Sequence, residues 1–195
     1  IFFSVYAAAA LMQIFKNQRD AVGLSVFSDT LELHTNARGG QLHQKMLYRE
    51  LEKILQPISS EVRRKSMVTD TLHRIAEQIH KRSLVVIFSD MFETDKDVDE
   101  LMLALQHLRH NKHEVILFHT CHKPLEFEFA LENRLYKFVD MESGEEVKLH
   151  SNNVRDYYRA AVSDFFHLLK LRCGGYQIDM VPVDITAGFD QILLS

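Results

Sequence analysis

Short apolar runs occur at four places along the chain and are typical of buried β-strands. They are residues 21–27, 84–88, 114–120 and 177–183. The run at 84–88 has five apolar residues without alternation, which is typical of a parallel strand covered on both faces. We therefore expect residues 84–88 to form the central strand, flanked in parallel by the strands at 21–27 and 114–120.

Between these runs, apolar residues recur with the three- and four-residue spacing of amphipathic helices. Such stripes lie at residues 3–14, 47–55, 72–79, 98–108 and 154–168, and a short last helix is expected at 187–194. Thr69 or Asp70 is the natural N-cap of the third helix, because either side chain can accept a hydrogen bond from a backbone N–H.

Two hairpins accompany this alternation of strands and helices. The alternating residues 31–35 suit an antiparallel partner for the strand at 21–27, and residues 136–140 and 146–150 flank a turn at 142–145. Elsewhere, strands and helices follow one another along the chain. The order predicts an α/β fold with a doubly wound, mostly parallel sheet and helices on both faces.

The composition is that of a globular chain of about one domain. Of its 195 residues, 46% are apolar and 26% are charged. The formal net charge is −4 and the basic runs at 63–65 and 81–82 are short, so we expect no nucleic-acid partner. The two cysteines, Cys121 and Cys173, are far apart in sequence. This favours a reducing compartment, and we expect a cytoplasmic protein.

The apolar N-terminal segment could be mistaken for a signal peptide or a membrane span. It lacks a basic leader and is shorter than the roughly 20 residues that a span requires. We therefore interpret it as a core helix and expect no membrane segment. The chain begins without Met inside a helical pattern, so we expect it to be a fragment whose upstream part is missing.

The candidate chemistry lies at the strand ends. The chain has no Gly-rich phosphate loop and no Gly-x-Ser-x-Gly elbow. Ligands of doubly wound sheets bind outside the carboxyl ends of the strands, which selects Ser89, Asp90 and the turn at Thr69 and Asp70. Mg²⁺ prefers oxygen ligands, which Thr69 and Asp90 would supply. The alternative is that Asp90 only ends a strand and Thr69 only caps a helix, and spacing favours neither.

Two groups of histidines could be mistaken for metal ligands. In a strand, side chains alternate between faces, so His119 and Cys121 would face away from His122 and could not form a closed zinc site with it. We interpret these histidines as surface residues and Cys121 as a small core thiol. The second group lies at a helix end, where cationic histidines suit the helix dipole. Its members are His107, His110 and His113.

Segments spread over the whole chain carry a resemblance to a known family. They are residues 7–11, 18–24, Phe27, 69–72, 84–90, Leu105, Leu108, Arg109, 113–115, Glu126, 138–142, Gly144, Arg155, Tyr158 and Asp184. In their order and spacing, the chain resembles the domain-of-unknown-function 58 family. Members of that family resemble von Willebrand factor A domains and are commonly encoded beside MoxR-type AAA+ ATPases.

The resemblance implies one von Willebrand factor A-like domain over residues 1–195, truncated at its N-terminus. It also implies a six-stranded sheet with a metal-ion-dependent adhesion site at the carboxyl ends of the strands. Thr69 and Asp90 match two ligand positions of that site. The first strand and its Asp-x-Ser-x-Ser segment would lie upstream of Ile1. We therefore expect a partial, unoccupied metal site in this chain, and magnesium as a ligand of the intact protein.

Such a site implies recognition, because a carboxylate from a partner completes the open coordination position of the metal. Our first hypothesis is a non-catalytic protein-interaction module that works with a MoxR-type AAA+ ATPase. The contact residues that this hypothesis implies are Thr69, Asp70, Ser89, Asp90 and Met91.

The alternative hypothesis is a magnesium-dependent phosphoester hydrolase that uses the strand-end carboxylates Asp90 and Asp29. An enzyme of this kind is favoured by a nucleophilic Asp that is followed two residues later by an acid. The third residue of the segment Asp90-Met91-Phe92 is not an acid, so the sequence does not favour the enzyme.

Overall fold

The computed structural model describes residues 1–27, 31–56, 68–80, 82–90, 95–139 and 144–187. The chain divides into two compact units. The first unit comprises Ile1–Val85 and Glu93–Glu114, and the second comprises Val86–Phe92 and Val115–Ser195. A single von Willebrand factor A-like domain over the whole chain stays a prediction.

The helices of the first unit follow the predicted apolar stripes. They are α1 (Phe2–Gln18), α2 (Gln41–Ile54), α3 (Val68–Gln78) and α4 (Asp95–His110). Val5 and Met12 of α1 form a buried cluster with Leu47 and Leu51 of α2. The predicted exposure pattern of α1 is wrong at Ile14, which is 40% exposed while Met12 is buried.

Helices α3 and α4 pack against each other through apolar side chains. These are Leu72, Ile75 and Ala76 of α3 and Leu101, Leu105 and Leu108 of α4, all of which are buried. A hydrogen bond also links α3 to the residue that follows α4, because the Asn111 side-chain amide donates to the Ala76 carbonyl at 3.0 Å. The two helices therefore have a fixed relative position.

The predicted first hairpin is confirmed as a pair of short strands. Strand β1 (Ser25–Phe27) pairs antiparallel with β2 (Leu31–His34). The strand is shorter than the apolar run at 21–27, and its side chains are only half-buried. Among the described residues the partner of β1 is β2, and the expected place of residues 21–27 in the parallel sheet stays a prediction.

The parallel sheet is formed by β3 (Leu84–Ser89), β4 (Glu114–Cys121) and β7 (Asp179–Asp184), in the order β3-β4-β7. The β4–β7 register runs from Ile116 beside Asp179 to Cys121 beside Asp184. This sheet confirms the mixed α/β class and is compatible with a Rossmann-like fold. In the described part of the chain, no sheet has more than three strands, whereas the resemblance implies six.

The prediction that residues 84–88 form the central strand is wrong in the described sheet. The middle strand is β4, and β3 lies at the edge. Burial agrees with this order, because Leu84 is 44% exposed and Ile87 is the one fully buried residue of β3. An apolar run indicates that both faces of a strand are covered by other parts of the protein, but it does not indicate whether the strand lies in the centre or at the edge of the sheet.

The second unit also contains the predicted hairpin and the long helix. Strands β5 (Leu135–Val139) and β6 (Glu146–His150) pair antiparallel, and α5 (Ser151–Gly175) follows directly. Ser151 is the first residue of α5 and does not precede the helix as a cap. The buried Ser151 hydroxyl instead donates to the Glu132 carbonyl at 2.7 Å, which ties α5 to the segment before β5. The last helix, expected at 187–194, falls outside the described residues after Ala187.

Candidate functional site at the strand ends

Because β3, β4 and β7 are parallel, their carboxyl ends meet at one edge of the sheet. We call the residues at this edge the strand-end rim: Ser89, Asp90, Cys121, His122 and Asp184. All of them belong to the second unit. Asp184 is a register partner of Cys121, so the ends of β4 and β7 lie side by side.

Asp184 holds together the turns that follow two strands. Its Oδ1 atom accepts hydrogen bonds from the Thr186 N–H at 2.9 Å, from the Thr186 hydroxyl at 2.7 Å and from the Lys123 N–H at 3.4 Å. Burial alone would raise the pKa of Asp184, but these hydrogen bonds together lower it. The carboxylate therefore remains ionised at neutral pH and has a structural role in the rim.

The end of β4 continues into a single π-helical turn, Lys123–Phe127, which the sequence patterns did not predict. The His122 N–H donates to Glu126 Oε2 at 3.0 Å, and His122 Nδ1 accepts from the Leu125 N–H at 3.4 Å. The preceding Cys121 thiol donates to the Val183 carbonyl at 3.4 Å. Burial is the largest cause that raises the pKa of Cys121 to about 11, so this thiol is not a nucleophile at neutral pH.

Asp90 is the exposed charged group of the rim, and a buried imidazole lies next to it. His119 of β4 is fully buried and contacts the Phe166 ring of α5 edge-on, with 4.5 Å between ring centroids. Burial lowers the pKa of His119, while the backbone and the carboxylate of Asp90 act in the opposite direction. The ring is therefore held neutral beneath an exposed carboxylate.

The other predicted contact residues lie elsewhere in the chain. Thr69 is half-buried and Asp70 is exposed, and both belong to the first turn of α3 in the first unit. The N-cap assignment is wrong, because α3 begins at Val68 and both residues are inside the helix. Met91 and Asp29 lie outside the described residues. A joint role of Thr69 with Asp90, in the other unit, stays a prediction.

The donor set does not fit a magnesium site in the described part of the chain. Mg²⁺ requires several oxygen ligands in near-octahedral geometry. At the rim, Asp184 Oδ1 already accepts three hydrogen bonds, and the Asp90 carboxylate interacts with the His119 imidazole, which supplies no oxygen ligand. The described residues contain no group of three or more His, Cys, Asp or Glu side chains that could hold a metal ion.

Two interpretations of the histidines are wrong. His119 is not a surface residue, although His119 and Cys121 do share the buried face of β4 as alternation requires. His113 is not a cation at a helix end, because it is fully buried and burial lowers its pKa. Its Nδ1 atom accepts the Ser83 N–H at 3.2 Å, which a neutral imidazole can do.

Two side-chain pairs in the first unit were missed. His73 of α3 and His107 of α4 place their Nδ1 atoms 3.0 Å apart, and we call them the α3–α4 histidine pair. Ser25 and His34 are cross-strand partners in the β1–β2 hairpin, with 2.9 Å between Ser25 Oγ and His34 Nδ1. His73 and His107 lie in different helices, so local spacing contains no signal for their contact, whereas the Ser25–His34 contact depends on the register of a hairpin whose strands were predicted.

Comparison with known proteins adds one match. A family model described as "Protein of unknown function DUF58" matches residues 3–165. The chain belongs to the DUF58 family. No curated protein and no solved structure matches this DUF58 chain. Among the helices that the structure describes, none is both long and apolar enough to cross a membrane.

Proposed function

We propose that this DUF58 chain is a non-catalytic protein-interaction module, with a von Willebrand factor A-like fold, that works in the cytoplasm with a MoxR-type AAA+ ATPase. The observation that carries the proposal is the state of the strand-end rim. The buried Cys121 thiol and the half-buried Asp184 carboxylate make hydrogen bonds that hold the rim together, whereas Asp90 is exposed. This geometry suits recognition of a partner by a charged group on a rigid edge.

The rim residues give little support to an enzyme. A catalytic nucleophile needs a lowered pKa or a base beside it, and Cys121 has a raised pKa. The Ser25–His34 contact in the first unit has the required atoms, but the His34 Nε2 atom is buried with no hydrogen-bond partner in the described residues. The histidine therefore lacks the third group that orients a catalytic base.

Asp90 is the residue through which we propose that the rim binds the ATPase. An exposed carboxylate can accept charge-assisted hydrogen bonds from an Arg or Lys of the partner. Such a pair contributes most when the contact excludes water around it. Ser89, which is half-buried at the end of β3, and Met91 are the proposed flanking contacts, and Thr69 and Asp70 are proposed contacts on α3.

Co-elution of the protein at its natural length with the ATPase tests this proposal. We expect Asp90→Ala to weaken co-elution and to leave the melting temperature nearly unchanged, because the exposed side chain contributes little to packing. Asp179→Ala is the matched control, since Asp179 is an exposed acid at the amino end of β7 in the same sheet. We expect this control to co-elute like the unmodified protein.

Two results would contradict the proposal. If Asp90→Ala and Asp179→Ala co-elute equally well, the rim is not in the interface. If the purified protein alone hydrolyses a phosphoester such as p-nitrophenyl phosphate with Mg²⁺, and Asp90→Ala abolishes that activity, the protein is the magnesium-dependent hydrolase of the alternative hypothesis.

A further inference from the structure

The α3–α4 histidine pair has the spacing of two ligands on one metal ion. The Nδ1 atoms of His73 and His107 are 3.0 Å apart, and the ring planes are inclined by 42°. With metal–nitrogen bonds of about 2.05 Å, this separation corresponds to a nitrogen–metal–nitrogen angle of about 94°. That angle is close to the right angle of square-planar and octahedral coordination and smaller than the tetrahedral angle.

The scaffold keeps this spacing without help from a ligand. His73 follows the buried Leu72 in α3, and His107 lies between the buried Leu105 and Leu108 in α4. Because the apolar packing of α3 on α4 fixes the two backbones, both imidazoles are already positioned. Both histidines are half-buried, so each is partly accessible to solvent.

The electrostatic surroundings on α3 favour a cation. Asp70 and Glu77 are exposed and lie three residues before and four residues after His73, so the three side chains share one helix face. His107 lies in the last turn of α4, at the negative end of that helix dipole. Arg109, the cation in the same turn, directs its guanidinium to the His113 carbonyl at 2.7 Å.

We propose that His73 and His107 chelate a divalent transition-metal cation between α3 and α4, with Cu²⁺ or Ni²⁺ bound in preference to Zn²⁺. Imidazole nitrogen suits these metals, and a near-right angle suits Cu²⁺ and Ni²⁺. Since the described residues offer no third His, Cys, Asp or Glu ligand, water molecules complete the coordination. Because the metal takes the lone pairs of both Nδ1 atoms, the ring that donates the Nδ1–H in the metal-free chain changes to its Nε2–H tautomer when the metal binds.

The test is a calorimetric titration of the untagged chain with NiCl₂ at pH 7.5. We expect one saturable site, and we expect His73→Asn and His107→Asn each to raise its dissociation constant about tenfold or more, because the second nitrogen then no longer binds within the same molecule. His167→Asn is the matched control, since His167 is an exposed histidine on α5, and it should leave the constant unchanged. An excess of Mg²⁺ should not compete, because Mg²⁺ prefers oxygen ligands.

A spectroscopic measurement on the unmodified chain keeps the test independent of how well the variants fold. With one equivalent of Cu²⁺, the electron paramagnetic resonance spectrum should contain the coupling of two imidazole nitrogens, and this signal should weaken at pH 5.5 as protons displace the metal. Saturable Ni²⁺ binding that persists in His73→Asn would assign the site to other histidines, such as His107 with His110, and would overturn the proposal. Absence of saturable binding by the unmodified chain would overturn it as well.

Discussion

The burial of His113 predicts that the chain loses stability in mildly acidic solution. Burial lowers the pKa of His113 below its ordinary value of 6.5. Below pH 6.5 the unfolded chain therefore binds a proton that the folded chain does not bind. Stability then falls as the pH falls, until the pH reaches the lowered pKa of the folded state.

The size of this effect follows from the exposure of the ring and the proton linkage. His113 is fully buried, so no solvent screening reduces the contribution. If the ring stays neutral in the folded chain down to pH 5.5, one such histidine lowers the free energy of unfolding by about 1.4 kcal/mol between pH 7.5 and 5.5. This value is the upper limit for a single group.

Urea unfolding followed by circular dichroism at pH 7.5 and 5.5 measures the effect. The informative variant is His113→Asn, whose side-chain oxygen can still accept the Ser83 N–H but does not titrate. We expect a loss of about 1–3 kcal/mol at pH 7.5 from the smaller side chain. The further loss on acidification should be smaller than in the unmodified chain by up to about 1.4 kcal/mol.

All other titrating groups are present in both chains, so the difference between the variant and the unmodified chain isolates the contribution of His113. The control is His167→Asn, at an exposed position, and its stability should fall on acidification as much as that of the unmodified chain. Parallel acid dependences of His113→Asn and the unmodified chain would refute the reasoning. So would an imidazole resonance of His113 that titrates near pH 6.5 in the folded chain, because a ring with a lowered pKa has not taken up its proton at that pH.

Two further predictions concern a buried hydroxyl and the magnesium site. Ser151→Ala should lower the free energy of unfolding by about 0.5–1.5 kcal/mol, since the hydrogen bond from the buried Ser151 hydroxyl to the Glu132 carbonyl at 2.7 Å is lost, whereas Ser163→Ala on the exposed face of α5 should cost little. Equal urea midpoints for the two variants would contradict this. Calorimetric titration of this chain with millimolar Mg²⁺ should give no saturable heat, and a tight isotherm that Asp90→Ala abolishes would mean that the ligand set was misjudged.

Most of the secondary structure could be predicted from local patterns. Hydrophobic periodicity and terminal residues are properties of neighbouring positions, so α1 to α5, both hairpins and the strands β3, β4 and β7 lie where a pattern predicted them, although α2 and α5 extend six or seven residues beyond their stripes. The order of strands in the sheet could not be obtained in this way. Hydrogen bonding between strands depends on contacts far apart in sequence, and the apolar run of β3 has the same composition at an edge or in the centre.

The candidate site was predicted in part. The strand-end rule selected Asp90, which the structure places directly after β3 as an exposed residue, and its role as a site residue stays a prediction. It did not predict His119 beneath it, although a signal existed. Val115, Leu117 and Cys121 alternate along β4 on the buried face, and His119 occupies the same face. His119 was predicted to lie at the surface because histidine is polar, although its alternation with these residues indicates the buried face.

The length of α5 has a consequence for how this part of the chain can change. Its 25 residues span about 37 Å, from the Ser151 contact near the β5–β6 hairpin to the turn before β7. Along the way Phe166 meets His119, and Cys173 is fully buried. Each residue of a helix advances the direction of its side chains by about 100°, so inserting one residue would turn every later contact away from its partner. Insertions of about seven or eleven residues, which correspond to nearly two or three full turns, would lengthen the helix and restore its buried face.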